Sequence, residues 1–438
     1  MLYAGLMQRN GEHDDGIREA TRYLRENAAL RQAVGAAPDA VLSPRYLGVG
    51  EHNLNYRFTE PASGRAYVLR VNVASQPFHD NQVAYEFAAL RALEPSGCTP
   101  RPVYLDDSPN ALGKGVLVET FCEGRELDFD HLSPGDLGGA MQLMAEVHAV
   151  PVGSDCPLYR PADPARELYE ECLARFRVYR ASAFEEARLT AWVERFIART
   201  DALLSATACP AADCSHIINT EPLPSHFLLP PSADGLEDAG ASAARPAASG
   251  ATRPEDGGAA RPAAGDGARP AAGDGAHHAT GGDAHPAIGG GARPVAGGAA
   301  RSATHPAAGD EARSALRPAG AFIDWERPLV GEVAQDVAYF VAPTTTFWDS
   351  DWRCPPDTAA ELVEAYWRAV DGRFNRGAFN ERFPLYRALT ALRSTTWCCR
   401  ALVQYSKEGA HKTPKTASKL PAYLSDDFLA QLADECFS

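Results

Sequence analysis

The run Phe322-Ile323-Asp324-Trp325-Glu326 puts a carboxylate where an apolar strand gives way to a loop. A side chain mounted there is held by the strand yet reachable from solvent, which suits Mg2+, an ion that takes oxygen ligands beside triphosphate oxygens. Upstream, Ile217-Ile218-Asn219-Thr220-Glu221-Pro222-Leu223-Pro224-Ser225-His226-Phe227-Leu228 places a polar turn between two apolar stretches. It offers the carboxylate of Glu221 and, five positions on, the ring of His226. Phosphoryl transfer uses that spacing: a loop carboxylate orients or deprotonates the attacking hydroxyl, and the later side chain helps hold the metal. Here Glu and His stand where Asp and Asn are usual. Glu221 is therefore the candidate catalytic residue, with Asp324 and His226 the candidate metal ligands.

A third segment, Gly48-Val49-Gly50-Glu51-His52-Asn53-Leu54-Asn55-Tyr56, sets two glycines in a turn between strand-like runs. Glycine lets backbone N–H groups approach a phosphate closely, so Gly48, Gly50 and Asn53 are candidate nucleotide contacts. An ordinary β-hairpin turn would use the same residues. Arg70 follows in YVLRVN and Glu86 in DNQVAYEFAALRALE. A strand cation gripped by a helix carboxylate is the kinase device for holding the nucleotide α- and β-phosphates. The plainer alternative is a surface ion pair worth about 0–1 kcal/mol. Asp336 opens the apolar helical run VAYFVA, and two roles fit it: an N-cap, or a buried acceptor fixing the loop that carries Glu221. The stretch 343–353, PTTTFWDSDWR, suits either a cleft for a cationic ligand or a packed loop with an aromatic anchor.

The elements that must position these groups read as follows. Residues 14–34 carry an amphipathic helical pattern, and 45–73 alternate like paired strands around a turn at Pro61-Ala62-Ser63-Gly64. Residues 80–94 are helical and 115–122 read as a buried strand. From Ser133 onward helical patterns dominate, at 136–149, 164–182, 184–205, 357–371 and 384–408. A β-rich lobe followed by a helical lobe is an α+β layout.

Between about 231 and 320 the chain is dominated by Ala, Gly, Pro, Asp and Arg, with ARPAAGDG recurring at 260–267 and 268–275. So few large apolar side chains cannot offset the entropy of ordering, which predicts a disordered insert. Closing a loop of about ninety residues instead of about ten costs only about 2 kcal/mol more. The apolar flanks, 226–229 and 321–325, predict two short strands that this segment joins. The expected divisions are a helical extension (1–44), a β-rich nucleotide-binding lobe (45–124) and a helical lobe with the catalytic loop (125–230). The insert (231–320) follows, then the metal-binding loop with the remaining helices (321–438).

A formal charge of −15 opposes broad binding to nucleic acid or anionic membranes. The N-terminal residues offer no signal-peptide pattern, and the ten cysteines are scattered without CxxC pairs. A cytoplasmic protein with reduced thiols is the expectation.

Together these segments resemble the aminoglycoside/choline phosphotransferase family of kinase-like proteins over roughly 45–230 and 320–405. The order is the family's: glycine turn, strand cation, helix Glu, apolar hinge strand, helical lobe, catalytic loop, Asp loop. FIDWERPLVGEVAQDVAYF is similar to its metal loop, Ile-Asp-Trp/Phe-Glu followed by a Gly and then an Asp in a helix. Its catalytic loop, His-Gly-Asp-x-x-x-x-Asn, is matched in position by Asn219, Glu221 and His226, and Arg70 stands for the more familiar Lys. The resemblance implies a two-lobed protein-kinase-like fold and a Mg2+-dependent enzyme using ATP (or GTP) on a small-molecule hydroxyl. The altered loop keeps a second reading open: a pseudokinase-like nucleotide-binding or regulatory module with little or no turnover.

Overall fold

A five-stranded antiparallel sheet carries Arg70, and its strands follow the alternation of the sequence. In the computed structural model, which describes residues 10–49, 53–73, 81–110, 112–113, 115–210, 214–230, 320–406 and 414–437, the sheet order is β1-β2-β3-β5-β4. The strands are β1 (Arg45–Val49), β2 (Asn53–Thr59), β3 (Ala66–Asn72), β4 (Pro102–Asp106) and β5 (Gly115–Thr120). Gly50 and, apart from Gly320, the 231–320 segment expected to be disordered lie outside the described residues.

One face of this sheet buries Tyr56, Phe58, Tyr67, Leu69 and Val118 against helices from the N-terminal segment. The single helix expected over 14–34 is two, α1 (Asn10–Glu26) and α2 (Ala28–Val34). Asn27 parts them: its backbone is extended, and its side chain accepts from the Leu30 N–H at 2.9 Å, capping α2. Its amide also donates to the Tyr104 hydroxyl at 2.9 Å, tying the break to the sheet. On the other side lies α3 (Gln82–Leu93), capped by Asn81 and carrying Glu86.

The helical lobe comprises α4 (Pro134–His148), α5 (Pro164–Arg180), α6 (Ala187–Ala206), α7 (Val333–Phe340), α8 (Pro343–Asp349), α9 (Pro356–Val370), α10 (Arg376–Tyr405), α11 (Pro414–Tyr423) and α12 (Asp426–Cys436). The central helix α10 starts at an Asn375 cap and runs through Pro384, eight residues earlier than the pattern from 384 predicts. In α8 and beyond, Phe347 stacks on Tyr423 at 5.2 Å, Trp348 meets Trp397 edge-on at 5.4 Å, and Trp352 lies 5.3 Å from Phe129. Of the two readings of 343–353, the packed aromatic anchor describes these contacts.

Two pairs of short strands frame the chemical loops. β7 (His216–Ile218) pairs antiparallel with β10 (Leu329–Gly331), and β8 (Phe227–Leu229) pairs with β9 (Ala321–Phe322). The strands expected on either side of the long segment thus pair with each other, and β6 (Arg125–Glu126) adds to β8. Residues 219–226 leave β7 and return on β8, while 323–328 leave β9 and return on β10. The pairing therefore puts both loops at the same place.

Candidate active site

Asp336 fixes the first loop. Its Oδ2 accepts from the Asn219 N–H at 2.7 Å and its Oδ1 from the Thr220 N–H at 2.8 Å, in a fully buried position on α7. Of the two roles foreseen for Asp336, the buried acceptor is the observed one. His148 Nε2 lies 3.3 Å from the same Oδ2, and its Nδ1 lies 2.8 Å from the Tyr366 hydroxyl. A carboxylate oxygen only accepts, so the proton sits on Nε2 and Tyr366 donates to Nδ1. This network holds Thr220 at φ +73°, a left-handed conformation that costs a non-glycine residue roughly 1–3 kcal/mol.

The second loop is bolted to the first. Asn219 Nδ2 donates to the Asp324 carbonyl at 2.7 Å, and the Ile323 N–H donates to the His226 carbonyl at 2.8 Å. Trp325, 2% exposed, donates its indole N–H to the Phe322 carbonyl, and Phe322 stacks on Phe227 at 4.3 Å. Asp324 itself sits at φ +65°, a second strained residue held in place by these bonds. His226 Nε2 lies 3.3 Å from Asp324 Oδ2, while its Nδ1 faces the Leu223 N–H at 3.4 Å. That arrangement puts the ring proton on Nε2, where it donates to Asp324.

Arg70 crosses from β3 to this loop. Its Nη2 lies 3.3 Å from Glu86, 3.3 Å from Asp324 and 3.2 Å from Glu326, and its Nη1 lies 3.8 Å from Glu119 on β5. The strand cation and helix carboxylate expected from the sequence therefore meet, in a buried pair and not a surface one. Asn53 joins them, donating to Glu326 Oε1 at 2.7 Å and accepting from Asn72 at 3.2 Å. Gln82 donates to Glu86 at 3.0 Å and to the Glu326 carbonyl at 2.7 Å. Gly48 lies in β1 opposite Asn55, with open space among the described residues where a Cβ would stand.

One guanidinium faces four carboxylates in this pocket. Burial pushes the Glu119 carboxyl up to about 7, Arg70 opposing and the neighbouring carboxylates reinforcing the rise. Burial also raises Glu86 and, with Asp324, raises Glu326 well above the usual carboxylate range. For Arg70 burial alone would lower the pKa, and the four carboxylates more than reverse it. A divalent cation fits this charge and this oxygen donor set. Among the described residues no group of three His, Cys, Asp or Glu is arranged to hold a metal unaided. Arg70 Nε and Gln82 Oε1, both buried, find no hydrogen-bond partner among the described residues.

Glu221 lies in the opposite electrostatic setting. Its Oε1 pairs with Arg393 from α10 and, at 3.2 Å, with Arg327 of the second loop, and the Arg393 Nη1 donates to the Thr220 carbonyl at 3.0 Å. Burial would raise its carboxyl, but Arg393, Arg327 and Arg175 together hold it at about 2. The side chain is still 38% exposed and so reachable by a ligand.

Residues 44–213 match the sequence model of the phosphotransferase enzyme family (APH). The family resemblance read from the sequence holds. The fold is similar to spectinomycin phosphotransferase solved with ADP and spectinomycin (TM-score 0.53, 9% identity, covering 95% of this chain and 97% of that chain). It is also similar to an ethanolamine kinase of Plasmodium vivax (0.50, 11%, 98% and 100%) and to a choline kinase of Cryptosporidium parvum (0.50, 9%, 96% and 97%). No curated protein matches the chain. The protein has the two-lobed kinase-like fold expected from its sequence, and no helix among the described residues is long and apolar enough to cross a membrane.

The structure brings Arg70, Glu86, Asn53, Asp324 and His226 together and sets Glu221 on the adjoining loop, paired with Arg327, while Gly50 lies outside the described residues. Sequence reasoning gave no role to Glu119, Gln82, Glu326, Arg327 or Arg393. Glu326 and Arg327 were detectable as charges inside the best-matched motif, and Arg393 as a lone cation on an otherwise uncharged helix run, ALTALRSTTWCC.

Proposed function

We propose that the protein is a small-molecule kinase that transfers the γ-phosphoryl group of ATP (or GTP), with Mg2+, to a hydroxyl of a small molecule. The observation that carries this reading is the meeting of Arg70 and Asp324 at 3.3 Å, in a pocket lined by four carboxylates. Asp324, with Glu326 beside it, would hold the metal. Arg70, held by Glu86, would bind phosphate oxygens. His226 orients Asp324 through the Nε2 proton; this positioning role replaces direct ligation in our reading. When bound, the Mg2+–nucleotide complex supplies the transferable phosphoryl group.

Glu221, held at about 2, is ionised at neutral pH and is a weak base. It therefore orients the acceptor hydroxyl and takes the proton late, as phosphate bonding develops. On this reading 45–124 binds the nucleotide, 125–230 and 321–438 carry the acceptor and metal groups, and the free thiols suit a reducing cytoplasm.

The test is transfer of label from γ-labelled ATP to a panel of hydroxyl compounds with Mg2+. Label appearing on a panel member, with Glu221→Gln lowering kcat about a hundredfold or more, is the expected result. Nucleotide binding without transfer to any member would favour the pseudokinase-like module instead.

A further inference from the structure

Beside Glu221 lies a cluster with the opposite sign to the Arg70 pocket. Arg175 on α5, Arg327 on the second loop and Arg393 on α10 come together with Glu171 and Glu221. Arg175 pairs with Glu171, Arg327 lies 3.7 Å from Glu171 and 3.2 Å from Glu221, and Arg393 closes on Glu221. Arg175 and Arg393 form a buried floor, while Arg327, Glu171 and Glu221 are partly open to solvent. Arg393 also holds the Thr220 carbonyl, so the cluster is fastened to the loop carrying the acceptor-orienting carboxylate.

The potential there is positive. Burial would raise both Glu171 and Glu221, yet the arginines hold each below the ordinary carboxylate range. Burial lowers Arg175, and Arg393 and Arg327 lower it further. Like charges crowded in low dielectric are stabilised by an anion that shares their donors. An arginine fork suits a planar or tetrahedral oxyanion. A cationic amino alcohol brought to Glu221 would meet Arg327 and Arg393 on the same oxygen it needs.

From this geometry we infer that the acceptor side of the cleft takes a hydroxyl compound bearing an anionic group, a carboxylate or a phosphate, bound through Arg327 beside Glu221. This rests on the kinase reading above and names the substrate class for it. It also gives the five charged side chains, contributed by four separate segments, a common purpose.

Binding to the full chain is measured by calorimetry with Mg2+ and AMP-PNP present, using glycerate, glycerol 3-phosphate, glycerol and choline as probes. Saturable binding of glycerate or glycerol 3-phosphate, at least tenfold tighter than glycerol and choline, is expected; which of the two binds separates carboxylate from phosphate recognition. Arg327→Gln should weaken that anion at least tenfold and leave AMP-PNP affinity within twofold. Choline binding as tightly as the anions, or no anion binding, overturns the inference using the unaltered protein alone. A loss of AMP-PNP affinity in Arg327→Gln overturns it by assigning the cluster to the nucleotide. Failure of the kinase reading is separate: it appears as no AMP-PNP binding, or as nucleotide binding without phosphoryl transfer in the labelling experiment above.

Discussion

At the scale of single residues, the site divides into a negative half around Arg70 and a positive half around Glu221. The titration of Glu119 follows from the first. Its carboxyl, raised by burial to about 7, keeps a proton in the fold that the unfolded chain releases near its ordinary value. The stability it contributes is thus complete below about pH 4.5 and is lost as pH rises through 7, on the order of 3 kcal/mol in all. Without divalent cations, the melting temperature should fall between pH 5 and 8, and Glu119→Gln should flatten that fall. An equal fall in both proteins would show that Glu119 does not carry it. How much of this site was readable in the chain depended on sequence distance. Arg70 and Glu86 follow a known strand–helix order, and Asp324 sits in a local motif. Arg393 reaches Glu221 across 172 positions, and nothing local in either segment announces the other.

At the scale of elements, the β8–β9 pair aims both loops. Gly320 precedes it at φ +125°, and a Cβ there would stand 2.5 Å from the Leu228 carbonyl oxygen, a backbone atom that cannot step aside cheaply. Gly320→Ala should cost about 2 kcal/mol or more by denaturant midpoint. An unchanged midpoint would mean that the pair tolerates a shift. The strands of 45–73 were legible because alternation and turn chemistry agree. β4 was not: it opens on Pro102, which the edge of a sheet tolerates, and it shows no clean alternation. The break at Asn27 was hidden because the apolar period runs on across it, and only the cap and the Tyr104 contact reveal the division. α8, only seven residues long, is too short for periodicity to register.

At the scale of the whole molecule, one core forms around Phe58 and Leu69, and the other, around Phe227, Phe340 and Leu389, also takes in Leu90 of α3 and Leu117 of β5 and so joins the two lobes. The kinase-like layout was legible because the order of segments survives even where residue types change. The 231–319 segment enters after β8 and leaves before β9, two strands paired through Leu228 and Ala321. The described residues that flank it are therefore neighbours, and a short turn can bridge them. Replacing 232–318 with a short Gly/Ser turn should leave the melting temperature within a few degrees and nucleotide binding intact; loss of soluble protein would give the segment a structural part.

We propose that Asp324, brought to Arg70 by the paired loops, makes this cleft a metal–nucleotide site. The most direct measurement is the melting temperature with AMP-PNP, with and without Mg2+, for the unaltered protein and for Asp324→Ala. Mg2+ should let the nucleotide stabilise the unaltered protein by several degrees, about what ligand at a hundred times its Kd provides, and Asp324→Ala should lose that gain. No shift with either ATP or GTP analogues, or an undiminished shift in Asp324→Ala, would contradict it.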